Sequence, residues 1–197
     1  MKTIQCSCMA LLISIGLFSG CTAETQTGTA SFSPSSHTTA QPIAAADCPN
    51  LYKVSDTFYR GAQPGAEGFQ QLEKLGIKTV IDLRSFHSDQ KALEGTSLQY
   101  INIPMQPWAP KLKDVRTFLT EVTNPANQPV FVHCHHGSDR AGTMTAVYRM
   151  VVEGWTRQQA VDEMTEGPFG FHKIWSGLPK FLNNLDINTL RAEYQKQ

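Results

Sequence analysis

From Cys48 onward the chain alternates short apolar runs with amphipathic stretches. Val54 to Tyr59 reads as a strand or hairpin edge, and Gly61-Ala-Gln-Pro64-Gly65 as the turn after it. Phe69, Leu72 and Leu75 recur at helical spacing, and Gly76 supplies a C-terminal stop. The β-rich runs Lys78–Leu83 and Pro129–Val132 have the look of buried core strands, and Leu98–Ile103 is another, ended by Pro104. Val115, Phe118, Leu119 and Val122 mark a second helix, closed before Pro125. Gly142 to Val152 is helical and strongly apolar. Thr156 caps a helix over Arg157–Met164, and Leu178 to Leu185 predicts a last one. Strands alternating with helices predict a single α/β domain over residues 48–197, with a central, mainly parallel sheet flanked by helices.

The first 47 residues follow another pattern. Lys2, an apolar run from Cys8 to Phe18 and the small residues Ser19-Gly20 describe an export signal over residues 1–20. The run is too short to span a bilayer, which takes about 20 apolar residues. Phe18-Ser-Gly-Cys21 resembles a bacterial lipobox, with Phe18 where Leu is usual, and that resemblance makes Cys21 a lipidated mature N-terminus. A plain signal peptide with an incidental cysteine is the alternative. With Thr22 next, the same resemblance implies an exported protein anchored to the outer membrane and facing the periplasm. Of the 26 residues from Thr22 to Asp47, 21 are Thr, Ser, Ala, Gln, Gly or Pro. Such a stretch buries too little surface to offset its chain entropy, so residues 21–47 are expected to form a disordered tether.

Charge narrows the partners. Seventeen Lys+Arg balance seventeen Asp+Glu, and removal of residues 1–20 takes away only Lys2, leaving 16 − 17 = −1. Nothing here suggests nucleic acid, and the membrane would be held by the lipid anchor rather than by surface charge. Five cysteines without CxxC spacing argue against a disulfide scaffold or a zinc ribbon.

One loop carries candidate chemistry. His133 and Cys134 follow the strand at Val130–Val132, and His135-His136-Gly137-Ser138-Asp139 separate Cys134 from Arg140, where a helix begins. Five residues between strand and helix can curl so that successive N–H groups point inward, an anion-binding nest at a helix N-terminus. Thiols in such settings exist as thiolates at neutral pH, and the thiolate is the nucleophile. Gly137 permits a backbone that a Cβ would hinder. Arg140 can grip two phosphoryl oxygens with its planar fork. Thiolate attack on phosphorus then gives a cysteinyl-phosphate that water hydrolyses, with no metal or organic cofactor. Zinc on His133, Cys134, His135 and His136 is excluded because adjacent side chains diverge.

The chain resembles the cysteine-dependent tyrosine and dual-specificity phosphatases in their small bacterial form. The likeness runs through Tyr59-Arg60-Gly-Ala-Gln-Pro64, Gly76–Arg84, Ile103-Pro-Met105, the Cys134–Arg140 loop and Gly170-Phe-His-Lys-Ile-Trp175, roughly residues 50 to 186. It implies a cysteine-phosphatase-like fold, Cys134 as nucleophile, Arg140 as phosphate-binding arginine, and phosphotyrosine-containing proteins as substrates. Two departures stand out. Ala141 occupies the place of the usual Ser or Thr, whose hydroxyl assists breakdown of the phosphoenzyme, so a slow second step is expected. The stretch Pro104–Pro110, where the family's general-acid Asp usually lies, holds no carboxylate. Asp139 is the foremost substitute, as in phosphoinositide-cleaving members of the superfamily; Asp114, better read as a first-turn helix residue, is the next. Asp139 also favours phosphoinositide or inositol-phosphate substrates as the alternative. From another class comes a pseudo-phosphatase that binds phosphate without turnover. His133 would hydrogen-bond the loop from behind, and Trp108 is a candidate wall of the cleft. Arg60 and Arg84 are either phosphate contacts or structural hydrogen-bonders. Cys48, in an oxidising compartment, would be a disulfide partner for Cys134.

Overall fold

The computed structural model describes residues 37–196. The expected export signal, and Cys21 with the tether as far as Ser36, lie outside these residues. Among the described residues, six strands form one sheet: β1 (Gln41–Pro42), β2 (Tyr52–Lys53), β3 (Phe58–Gly61), β4 (Thr79–Asp82), β5 (Gln99–Asn102) and β6 (Val130–His133), in the spatial order β1-β2-β3-β6-β4-β5. β3, β6, β4 and β5 run parallel, while β1 and β2 add an antiparallel hairpin edge. The helices are α1 (Ala66–Lys74), α2 (Leu112–Thr123), α3 (Arg140–Val151), α4 (Arg157–Glu166), α5 (Gly177–Asn184) and α6 (Ile187–Tyr194). This is the mainly parallel α/β domain the sequence predicts. Among the described residues, no helix is long and apolar enough to cross a membrane.

β4 and β6 are buried throughout, as central parallel strands covered on both faces must be. The alternation of side chains sorts them into two cores. Val80 and Phe131 pack with Phe69 and Leu72 of α1, whereas Ile81, Val130 and Val132 face Val115, Phe118, Leu119 and Val122 of α2 and the side of α3. α3 is buried along almost its whole length because it lies between the sheet and α4, α5 and α6. Its lack of a solvent-facing polar stripe follows from that position, and its buried Arg149 is paired with Glu163. α4 begins at a reciprocal cap in which the Thr156 and Gln159 side chains each bond the other's backbone N–H.

Two expectations are corrected. Part of the stretch predicted to be a tether is folded: Ala40 is buried with its N–H donating to Glu163 Oε1 at 3.0 Å, β1 pairs with β2, and the Ile43 N–H donates to Leu51 O at 2.9 Å. Backbone pairing at a sheet edge needs no apolar side chains, so composition does not announce it. Leu178–Leu185 is also not the last helix. α6 follows it, capped by Asp186 and fixed by the Arg191 guanidinium on Met150 O. With Leu190 its one buried residue, it leaves little periodic signal.

The register aligns Gly61, His133, Asp82 and Asn102 in one row at the carboxyl end of the parallel strands. Loops from all four strands start there, the usual place for a ligand on an open α/β sheet.

Candidate active site

The Cys134–Asp139 loop leaves β6 at the centre of that row and enters α3 at Arg140. Its carbonyls are pulled outward one after another. The Gln63 N–H donates to His135 O at 3.2 Å, Asn50 Nδ2 to His136 O at 2.9 Å, and Arg60 Nη2 to Gly137 O at 2.6 Å and Ser138 O at 3.4 Å. Peptide planes held this way turn the intervening N–H groups to the inside. Those of residues 135–139 have no acceptor among the described residues, which is what an anion nest requires. Gly137 makes the turn at φ +75°, and a Cβ there would stand 2.5–2.6 Å from the backbone of Gly61 and Ala62. Glycine is therefore required twice over, by conformation and by space.

Arg60 is a structural hydrogen-bonder and no phosphate contact. It is buried beneath the loop, and its guanidinium lies 4.0 Å over the Phe169 ring. Burial pulls it down to about 10, opposed by Glu163 and Cys134, so it stays charged at neutral pH.

Cys134 is almost fully buried at the base of the loop. Behind it, His133 Nε2 stands 2.8 Å from Asp89 Oδ2, and Asp89 Oδ1 meets Gln63 Nε2 at 2.6 Å and His87 Nε2 at 2.9 Å. Burial alone would raise the Asp89 carboxyl, but His133, Gln63 and His87 hold it below the usual carboxylate range. Asp82, with Tyr100 donating to its Oδ2 at 3.0 Å, is pushed upward by burial. Arg84 joins this network by donating to Gln63 Oε1 at 2.8 Å.

Above the loop lies a cleft of about 290 Å³. Arg140 lines it, its Nη1 3.4 Å from the carbonyls of both Leu83 and Met105. Arg84, His135, His136 and Asp139 line it as well, so cationic and imidazole groups dominate. The field is felt by His135: partial burial, then His136, Arg84 and Arg140, push its imidazole below the ordinary range. A groove of about 850 Å³ beside Thr120, Thr123 and Tyr194 is larger, but no such convergence of charge lines it.

Of the residues singled out from the sequence, the structure brings Cys134, Arg140, His135, His136, Gly137, Ser138 and Asp139 together. Trp108 is not the wall expected of it. It is 68% exposed and packs on Trp175 with ring centroids 6.2 Å apart, while Trp175 and Pro107 line the cleft. Asp114 sits in the first turn of α2 and does not line the cleft. Cys48 belongs to the α1-side core and Cys134 to the opposite one, so a disulfide between them would have to cross the sheet. The Cys48 thiol instead donates to Gly68 O at 3.2 Å, and burial beside Asp47 raises it to about 11. Thr143 does not replace the missing hydroxyl at Ala141, because its own Oγ1 donates back to Asp139 O at 2.8 Å.

Two participants escape the sequence reading. Ser85 lines the cleft with a buried, unpartnered Oγ. His172 bonds Asp139 through both its backbone N–H and its Nδ1, each at 2.9 Å. Their signals are indirect: Ser85 follows Arg84 at a strand end, and His172 stands within the Gly170–Trp175 segment of the family likeness, which gives it no role of its own. Among the described residues there are two donor sets of metal-binding type, Asp82/His87/Asp89 and His136/Asp139/His172, the donor atoms of each within 4.8 Å of one another. In the first, the donors face His133, Gln63 and Tyr100; in the second, Asp139 and His172 already bond each other.

A cysteine at a strand–helix junction, a nest of free N–H groups and an arginine at the helix start define a cysteine-phosphatase-type domain. The model of a family described as a DSP-PTPase phosphatase fused to NAD+ kinase matches residues 35–175, and the chain belongs to that family. It is 32% identical over 144 residues to the dual specificity protein phosphatase TpbA of Pseudomonas aeruginosa, covering 72% of this chain and 65% of TpbA. Against the inositol diphosphatase SIW14 of Saccharomyces cerevisiae it is 25% identical over 158 residues, covering 72% of this chain and 53% of SIW14. The chain thus spans just under two thirds, and about half, of these relatives. Among solved structures, a cysteine-to-serine variant of P. aeruginosa TpbA in complex with phosphotyrosine superposes with a TM-score of 0.73 at 28% identity, over 84% of this chain and 100% of that one.

Proposed function

We propose that the protein is a phosphomonoester hydrolase working through a cysteinyl-phosphate, acting on phosphotyrosine-containing proteins first and on phosphoserine and phosphothreonine besides. The observation that carries this is the row of unpaired N–H groups held open between Cys134 and Arg140. Three phosphoryl oxygens fit that nest and the Arg140 fork, which places phosphorus over the thiolate. Sulfur attacks, the bond to the leaving oxygen breaks, and that oxygen takes a proton from the side of the cleft where Asp139 stands. Water then attacks phosphorus and releases the thiolate. TpbA, a relative named as a dual specificity phosphatase and solved with phosphotyrosine, supports the substrate class. Cys134 and Arg140 both in place speak against a pseudo-phosphatase.

Likeness to an inositol diphosphatase, together with Asp139 directly before Arg140, favours inositol phosphates or phosphoinositides as a second reading. Phosphate release from a phosphotyrosyl peptide and from an inositol polyphosphate, measured side by side, decides between them.

Ala141 sets the expected kinetics. Rapid mixing with an aryl phosphate should give a burst of phenol followed by slower turnover. Ala141→Thr, placing a hydroxyl at the start of α3, should raise the steady rate about tenfold, a small part of what general acid–base assistance supplies. A steady rate unchanged by Ala141→Thr would mean that hydrolysis of the phosphoenzyme does not limit turnover.

The export signal and lipid anchor complete the proposal. They rest on Lys2, the Cys8–Phe18 run and Ser19-Gly20-Cys21, with Thr22 supporting an outer-membrane address facing the periplasm. Expressed in a bacterium, the full chain should fractionate with membranes and Cys21→Ser should release it. A Cys21→Ser protein still bound to membranes would remove the anchor from the proposal.

A further inference from the structure

Asp139 lines the cleft, yet it does not face it freely. The residue is buried, its Oδ1 accepts the His172 N–H at 2.9 Å, and its Oδ2 stands 2.9 Å from His172 Nδ1. Both carboxylate oxygens are thus engaged by a residue 33 positions further along the chain. Resting on the phosphatase reading above, we infer that His172 is the proton donor to the leaving oxygen and that Asp139 is its positioning residue.

Three observations place His172 for this role. Its segment is fastened to the phosphate loop at one end: Ser138 Oγ donates to Phe169 O at 2.6 Å, and Asn50 Nδ2 bonds both His136 O and Phe169 O. At its other end, Trp175 lines the cleft. Gly170, at φ +76° beside Ser138 Oγ, turns the chain between them. The His172 ring therefore stands over the loop, its centroid 5.0 Å from that of His136, which lines the cleft. Its side chain is 45% exposed, and Nε2 has no hydrogen-bond partner among the described residues. A carboxylate on Nδ1–H fixes the ring plane and stabilises the imidazolium, whose Nε2–H is then the proton to give, as the triad aspartate orients and stabilises its histidine in hydrolytic triads.

The steps balance. As sulfur bonds to phosphorus and the P–O bond to the leaving group breaks, the Nε2 proton of the His172 imidazolium passes to the leaving oxygen. In the second step water bonds to phosphorus and gives a proton to the now neutral Nε2, while the S–P bond breaks and the thiolate returns. The family's missing carboxylate on the Pro104–Pro110 loop is thereby accounted for without a moving lid.

The test is a leaving-group series with the full-length protein. For His172→Gln and Asp139→Asn, the rate on 4-nitrophenyl phosphate, whose leaving group needs little protonation, should fall about threefold, and on phenyl phosphate about a hundredfold, the lower end of general-acid contributions. His172→Ala should be partly restored on phenyl phosphate by added imidazole, which a merely structural role would not produce. Equal losses across the series, or no rescue by imidazole, would overturn the inference while leaving the phosphatase reading intact. An Asp139→Asn loss on phenyl phosphate with His172→Gln unaffected would return the proton to Asp139 itself and also overturn it. If dialysis against EDTA reproduced the His172→Gln profile, His136, Asp139 and His172 would be metal ligands and the inference would fail. An unaltered protein inactive on every member would remove the phosphatase reading and the inference together.

Discussion

Cys134→Ser is expected to lower phosphate release from an aryl phosphate by at least about a thousandfold, the scale on which loss of a covalent nucleophile is felt. Oxygen is smaller than sulfur and does not crowd the loop, and nothing that shapes the loop depends on the thiol. The carbonyls of residues 135–138 are held by Gln63, Asn50 and Arg60, and Gly137 keeps its turn. A serine hydroxyl, however, has no anionic form at neutral pH and is a far weaker nucleophile than a thiolate. Binding and turnover should therefore separate: inorganic phosphate or a phosphotyrosyl peptide still binds, measured by calorimetry, while the burst disappears. A Cys134→Ser protein that keeps its burst would place the covalent step elsewhere and refute the mechanism proposed above.

Arg140→Lys is expected to cost about a thousandfold in kcat/KM, close to the loss found when a well-placed oxyanion donor is removed. The charge survives this change and the geometry does not. The guanidinium is held at one edge by the Leu83 and Met105 carbonyls, each 3.4 Å from Nη1, so its fork is aimed before substrate arrives. A lysine offers a point charge on a flexible stem and cannot give two parallel bonds to equatorial oxygens. Most of the loss should appear in kcat, because the trigonal array of oxygens that the fork fits forms in the transition state. Measured kcat and KM on one aryl phosphate check this; a change confined to KM would make Arg140 a binding residue only.

Much of this site is legible because its chemistry is local. A nucleophile, a nest and a clamp occupy consecutive residues between a strand and a helix, so Cys134, Gly137 and Arg140 can be read from spacing alone. The strands and most helices are legible for a similar reason: Val115, Phe118, Leu119 and Val122 form one stripe, and β4 and β6 are short apolar runs. Legibility fades where partners lie far apart in the chain. Arg60 is 77 residues from Gly137, and His172 is 33 from Asp139. Ser85 follows an arginine that does carry a signal, but nothing marks its hydroxyl as cleft-lining. β1 contributes through backbone pairing, to which side-chain composition is blind.

By itself, then, the sequence determines the α/β class, the loop from Cys134 to Arg140 and the absence of a hydroxyl at Ala141, since each depends on neighbouring residues or a short period. Only the tertiary structure decides that Arg60 supports the loop rather than binding phosphate. It alone removes Trp108 and Asp114 from the cleft wall, sets Cys48 across the sheet from Cys134, and engages both oxygens of Asp139 on His172. The physical reason is common to all of these. Parallel strands carry their loops to one edge of the sheet from distant parts of the chain, and which side chains meet there depends on register and packing, which no local pattern encodes.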